Sequence, residues 1–260
     1  MNRLALLTVC CLATPALAQV DDGQANWDPG EEKIRHVEVG VTLMGMVNGS
    51  FLDEPSEADK MTDGVSGPLL YPGFGGVGGG GGLLVNAMWR GIVGLETGAY
   101  FALEQGAGTL NIGGTLEVDY TLGQNAWHVP LLLKVAAPLE VMRPFGYFGV
   151  EWAFVSGVAV QERDPDNAAA AALVDAEADD YWLLAFGAGF EFVIPAGVDL
   201  RIPLTFRGAW NPSTGDKAED RMSRVPENCG NASQPCTQFI YNTEWQYQAA
   251  VSLGLAYYFL

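Results

Sequence analysis

Cations, histidines and cysteines are scarce in this chain. There are 13 Lys and Arg against 31 Asp and Glu, a net charge of −18, so the basic patches needed for nucleic acid or an anionic membrane surface are missing. The two histidines, His36 and His128, leave little for acid–base catalysis. His128 is expected as an interior hydrogen-bonding residue, and Ser50, Ser66 and Ser213 have no evident histidine partner. Of four cysteines, two lie in the first eighteen residues. The others, Cys229 and Cys236, lack the nearby His that a four-ligand zinc site would need. No Asp-x-Asp-x-Asp-Gly calcium loop occurs, and Gly76, Gly78 and Gly81 form a Gly-x-Gly-x-x-Gly run without the helix of a nucleotide fingerprint. After the first eighteen residues no segment approaches the about 20 apolar residues of a spanning helix. Residues 168–173 are the one helix-like stretch. Neither a cofactor, nor a metal, nor enzymatic activity is expected.

What is present begins with a leader. Met1-Asn2-Arg3 is a short basic start, residues 4–14 a short apolar run, and Ala16-Leu17-Ala18 a small-x-small cleavage site. These are the parts of a secretory signal peptide, set aside as residues 1–18. A lipoprotein signal acylated at Cys10 or Cys11 is the competing reading; Val9 and the shortness of the run speak against it. Export puts Cys229 and Cys236 in an oxidising compartment, where a disulfide closing their small polar loop is expected.

At the other end, Leu253, Leu255, Tyr257 and Phe259 share one parity, and Ser252, Gly254, Ala256 and Tyr258 the other. A strand sends alternate residues to opposite faces. One face is therefore oily and tipped with aromatics, the other small or polar, as the wall of a membrane barrel requires. Similar alternation divides residues 35–260 into eight strands. Outward residues include Val37 to Leu43, Val93 to Phe101, Trp127 to Val135, Phe148 to Phe154, Trp182 to Phe192 and Val198 to Phe206, every second position. Connections alternate in length: long at about 48–70, 163–180 and 211–241, short at about 88–91, 138–144 and 195–197. Long extracellular loops and short periplasmic turns do this, and an even strand count returns both termini to the periplasm, with residues 19–34 as a periplasmic segment. Residues 110–122 are read as an extension of the third and fourth strands; a separate ninth strand, with a tenth hidden in the last long loop, is the alternative.

The charges obey the same parity. The faces opposite the oily ones hold Glu38, Glu96, Lys134, Glu151, Glu191, Asp199, Arg201 and Arg207. A water-soluble barrel would reverse this arrangement. Eight strands enclose only enough room for side chains, and buried charges must be paired. Lys134, Arg201 and Arg207 are therefore expected to form an interior ion-pair network with Glu96, Glu151 and Glu191, a plug rather than a pore. Tyr257, Phe259 and Trp245 are expected as aromatic-girdle residues at the two interfaces.

Trp127-His-Val-Pro-Leu-Leu-Leu-Lys134 resembles the aromatic-x-x-Pro-Leu-Leu-Leu-Lys strand of the generic outer-membrane-protein β-barrel domain family, and Pro144-Phe-Gly-Tyr-Phe-Gly-Val-Glu151 resembles the strand that follows it. The spacing of Ser252, Gly254, Tyr257 and Phe259 resembles the terminal signal read by the outer-membrane barrel assembly machinery, with Leu260 after the usual final Phe. The chain is thus similar to small barrels of the OmpA/OmpX-like group. That resemblance implies an eight-stranded up-and-down transmembrane barrel in the outer membrane of a Gram-negative bacterium. It implies outer-membrane lipids and the assembly machinery as partners, and a non-enzymatic structural or adhesin role with an extracellular ligand on the loops. A porin-like channel for small solutes is the second reading and a lipid-modifying barrel enzyme the third. No peptidoglycan-binding module is expected after the last strand.

Overall fold

A computed structural model describes residues 36–53, 73–112, 116–162, 174–195, 198–214, 222–224 and 239–259. The chain divides into Met1–Ile34 and Arg35–Leu260, and all described residues belong to the second unit. The expected leader, the periplasmic segment 19–34, Cys229, Cys236, Ser66 and Leu260 lie outside the described residues.

The described strands are β1 (Val37–Leu52), β2 (Phe74–Trp89), β3 (Val93–Ile112), β4 (Leu116–Ala136), β5 (Met142–Glu162), β6 (Val174–Glu177), β7 (Tyr181–Pro195), β8 (Asp199–Trp210), β9 (Met222–Arg224), β10 (Phe239–Asn242) and β11 (Tyr247–Tyr258). Eight of them close into a barrel in the order β1-β11-β8-β7-β5-β4-β3-β2. Every pairing around it is antiparallel. Closure leaves no sheet edge with unpaired N–H and C=O groups, the condition for crossing hydrocarbon as strands. Residues 110–122 extend the β3–β4 hairpin, paired as far as Ile112↔Leu116.

The outer surface is apolar. Leu43, Leu83, Leu95, Leu133, Phe148, Phe186, Phe206 and Leu253 are each more than half exposed. Aromatics collect near both ends of this band. Phe51, Tyr247 and Trp210 form one cross-strand row, and Phe101, Trp127 and Phe154 another, while Trp89, Tyr257 and Phe259 ring the end with the short turns. Tyr247 and Tyr257 lie ten residues apart on β11. At about 3.3 Å per residue and a tilt of about 40° they are separated vertically by about 25 Å, the height of an outer-membrane apolar band. Among the described residues no Asp, Glu, Lys or Arg side chain points outward between the two aromatic rings.

Three differences from the sequence reading stand out. The long connections hold a small sheet in the order β6-β10-β9, with β6 parallel and β9 antiparallel to β10. Strands of three or four residues are too short to display alternation. The β4–β5 turn ends earlier than expected: β5 begins at Met142, and Pro144 sits within the strand, near its start, where a missing N–H is tolerated. Trp245 is not a girdle residue but is fully buried. Regular β11 pairing begins only at Tyr247, so residue 245 escapes the pleat and turns inward, and Tyr247 takes the exposed belt position.

The lumenal face of β2 explains its glycine run. Gly78, Gly80 and Gly82 lie so close to β3 that a Cβ on them would collide with the carbonyls of Leu103, Phe101 and Ala99, whereas a Cβ at outward Gly45 would meet nothing within 4 Å. Gly80→Val should therefore cost about 1–3 kcal/mol through overpacking. Gly45→Val should stay within about 0.5 kcal/mol of wild type. Urea unfolding of the refolded barrel in detergent, followed by the heat-modifiable shift on gels, measures both.

Candidate functional site

The lumen is where parity gathers the polar side chains, and they form two layers. The lower layer, nearer the short turns, centres on Lys134. Its Nζ donates to Glu191 Oε1 at 2.7 Å and Glu96 Oε2 at 3.1 Å and lies 4.3 Å from the centre of the Phe145 ring. Tyr258 donates its hydroxyl to Glu191 at 3.2 Å. Arg201 contacts Glu191 at 3.4 Å and Glu38 at 2.9 Å, and grips Asp199 through Nε and Nη2, both at 2.9 Å. Its guanidinium stacks 3.6 Å above Tyr258. Arg143 donates to Glu38 at 3.1 Å and to the Gly91 carbonyl at 2.7 Å.

The upper layer centres on two acids. Glu151 accepts from Tyr100 at 2.6 Å and is ion-paired with Arg207. Glu104 accepts from Gln124 at 2.7 Å, from Tyr181 at 3.2 Å, and from Gln248. His128 bridges the two, with Nδ1 2.8 Å from Glu151 and Nε2 3.1 Å from Glu104. The Nε2 contact lacks the alignment of a hydrogen bond. The imidazole also stacks flat on Tyr100, with ring centres 4.8 Å apart. Thr243 closes the layer by donating to Gln124 Oε1 at 2.7 Å.

Many of these bonds cross the lumen between strands that are not neighbours. Glu191 of β7 reaches Lys134 of β4, Glu151 of β5 reaches Arg207 of β8, Glu38 of β1 reaches Arg143 of β5, and Gln248 of β11 reaches Glu104 of β3. Between the layers lies a cavity of about 50 Å³ lined by Thr42, Met44, Leu132, Tyr147, Thr205 and Ser252 among others. It has room for a few water molecules. Above the upper layer, Leu52, Phe74, Tyr120, Leu122 and Trp245 form a buried apolar cluster.

All six residues of the expected network, Glu96, Lys134, Glu151, Glu191, Arg201 and Arg207, lie in these layers. Arg143 and Glu104 also belong, and sequence reading missed both. Arg143 falls in the stretch expected as a short connection, and Glu104 lies just past Leu103, where the strongly alternating part of its strand ends in the sequence; continuing the parity of Glu96 and Tyr100 finds it. Gly254 faces the lumen, where a Cβ would meet the Leu43 carbonyl at 2.9 Å. Tyr257 and Phe259 face outward, their rings 6.1 Å apart. His36 is exposed and lies 6.3 Å from Trp89. Ser213 bonds to Asn211, so among the described residues no serine–histidine pair forms. No group of three potential metal ligands occurs among them either.

No family model matches the chain, and no curated protein sequence does. Solved barrels do align with it. OprG from Pseudomonas aeruginosa is 13% identical over 85% of this chain and 96% of its own, with a TM-score of 0.38. The N-terminal barrel domain of OprF from the same organism is 8% identical over 84% and 97%, with a TM-score of 0.33. Ail, the attachment invasion locus protein of Yersinia pestis, is 12% identical over 85% and 99%, also at 0.33.

Arg207→Met should cost about 3–5 kcal/mol, because it strands the buried Glu151 carboxylate. Adding Glu151→Gln should recover part of that loss. The cycle is measured by urea unfolding in detergent, and an additive result would show that the pair is not coupled.

Proposed function

We propose that this chain is a non-enzymatic outer-membrane barrel protein with a closed interior, serving a structural or surface-display role. The observation that carries the reading is the double layer of ion pairs, among them the cross-lumen pairs Lys134–Glu191 and Arg207–Glu151, with a cavity of about 50 Å³ between the layers. A conducting pore would need those pairs broken together. The sidedness of the wall supports the membrane assignment, since an Arg or Lys at the bilayer midplane on the lipid face costs about 2–4 kcal/mol, and the apolar band carries none. In this reading both termini and the short turns face the periplasm, and the long connections face outward. The partners are outer-membrane lipids, the assembly machinery acting on the strand ending Tyr257-Tyr258-Phe259, and an extracellular ligand held by the long connections. Recognition belongs on connections carried by a rigid scaffold. The buried histidine fits a bridging role better than catalysis, because His128 is fully enclosed and already engages two acids.

Planar-bilayer recording of the refolded full chain tests the closed interior. Wild type should show no steady stepwise conductance, and regular openings would favour a small-solute channel. Leu131→Arg, in the middle of the outward face of β4, should lower folding stability in lipid vesicles by about 2–4 kcal/mol. No loss would argue that this face does not meet hydrocarbon.

A further inference from the structure

The outer wall is not uniform. Just beyond the row Phe101, Trp127 and Phe154, on the side of the long connections, a groove of about 360 Å³ runs between Leu103, Gln105, Gly123, Asn125, Gly157 and Ala159. A bulge opposite Asn125 and Ala126 creates its floor. Below the bulge Trp152 and Phe154 point outward, and an unbroken strand would next present Ser156, Val158 and Val160. The extra residue shifts the parity. Ser156 stays exposed as the extra residue and donates its hydroxyl to the Asn125 carbonyl at 3.0 Å. Gly157 and Ala159 then come outward opposite Asn125 and Gly123, and Val158 turns inward opposite Gln124.

The floor is consequently main chain and small side chains. A Cβ added at Gly123 or Gly157 would meet nothing closer than 3.9 Å. The side chains of Glu104 and Gln124 are buried in the lumen, so these two residues line the groove through their backbone alone. The walls offer Leu103, the exposed carboxamide of Asn125, and Gln105, whose Nε2 is tied to the Val77 carbonyl at 2.7 Å. The next outward row toward the membrane, beside the groove rather than lining it, holds Phe101 and Trp127, which meet edge-on with centres 5.4 Å apart.

We propose that this groove binds the uncharged sugar headgroup of a glycolipid, resting on the membrane reading above. A sugar ring offers C–H faces that lie against aromatic rings and hydroxyls that pair with amides and backbone groups. The position just past an aromatic belt is the headgroup level of a bilayer, and the volume falls at the small end of ligand sites. Charge selects sugar over phosphate. No cation lines the groove, and the exposed acid Asp119 lies further up the same strand, unfavourable for a phosphodiester.

The full chain is reconstituted in phosphatidylcholine nanodiscs doped equally with digalactosyl diacylglycerol and phosphatidylglycerol, and the lipids retained on transfer to detergent are counted by native mass spectrometry. Wild type should retain the glycolipid over phosphatidylglycerol by about tenfold, one contact's worth of free energy. Gly123→Leu and Gly157→Leu, at positions where an added Cβ meets nothing closer than 3.9 Å, should abolish the preference. Gly45→Leu, on a bare outward glycine elsewhere, should keep it. Equal retention of the two lipids by wild type, or an undiminished preference in both filled variants, overturns the site. Displacement of the glycolipid by free digalactose at equal concentration would assign the groove to soluble carbohydrate and overturn the lipid assignment. Failure of wild type to enter nanodiscs would overturn the membrane reading itself, a result distinct from insertion without preference.

Discussion

Pairing every charge inside a closed ring of eight strands is the constraint on which the rest of the structure depends. Hydrocarbon outside forbids charge on the outer face, so the alternation of the strand sends charge inward. A lumen this narrow cannot hydrate the charges freely, so each needs a partner within reach. Some partners come from the neighbouring strand and others from across the ring. Lys134 joins β4 to β3 and β7, Arg201 joins β8 to β7 and β1, and Arg207 joins β8 to β5. Backbone ladders tie each strand only to its neighbours. The polar layers tie the opposite walls together and thereby hold the cross-section of the barrel.

The glycines follow from the same crowding. β2 contributes no charge to either layer, and Gly76, Gly78, Gly80 and Gly82 fill its lumenal positions between Phe74 and Leu84. There the backbone of β3 comes close enough to exclude a Cβ, so the wall itself occupies the space that side chains fill elsewhere. Near the mouth the ring of Trp245 packs against β3, within 2.9 Å of where a Cβ on Gly106 would stand. A glycine on β3 thus makes place for the largest buried side chain in the described structure.

Parity made much of this legible before any coordinates, because lipid enforces it along whole strands. Glu96, Lys134, Glu151, Glu191, Arg201 and Arg207 each sit among outward-facing neighbours such as Leu95, Leu133, Val150 and Phe206. Where the strict period lapses, legibility lapses too. Arg143 was missed because a turn followed by a proline does not announce a strand, and Glu104 because its strand continues past the last strongly apolar residue. Trp245 looked like a belt residue because its parity matches Tyr247, although the pleat starts only two residues later. The bulge opposite Asn125 was invisible for the opposite reason: Gly157 and Ala159 are too bland to reveal which way they point. The pairings across the lumen depend on which strands face one another, and no local pattern encodes that.

A barrel with a filled centre has only three surfaces left on which to meet other molecules: the short turns, the long connections and the outer wall. Much of the chain's acidic excess falls in the long connections, with Asp53, Glu54, Glu57, Asp59 and Asp63 in one and Asp164, Asp166, Asp175, Glu177, Asp179 and Asp180 in another. Connections of this composition repel anions. Any contact with phosphate-bearing headgroups there needs bridging cations, whereas neutral polar headgroups approach without opposition. The bulge on β5 lies at this boundary and exchanges bulky outward residues for glycine and alanine. The charge distribution and the local backbone thus favour the same class of neighbour, which is why the proposed selectivity is assigned to the wall beside the long connections rather than to the lumen.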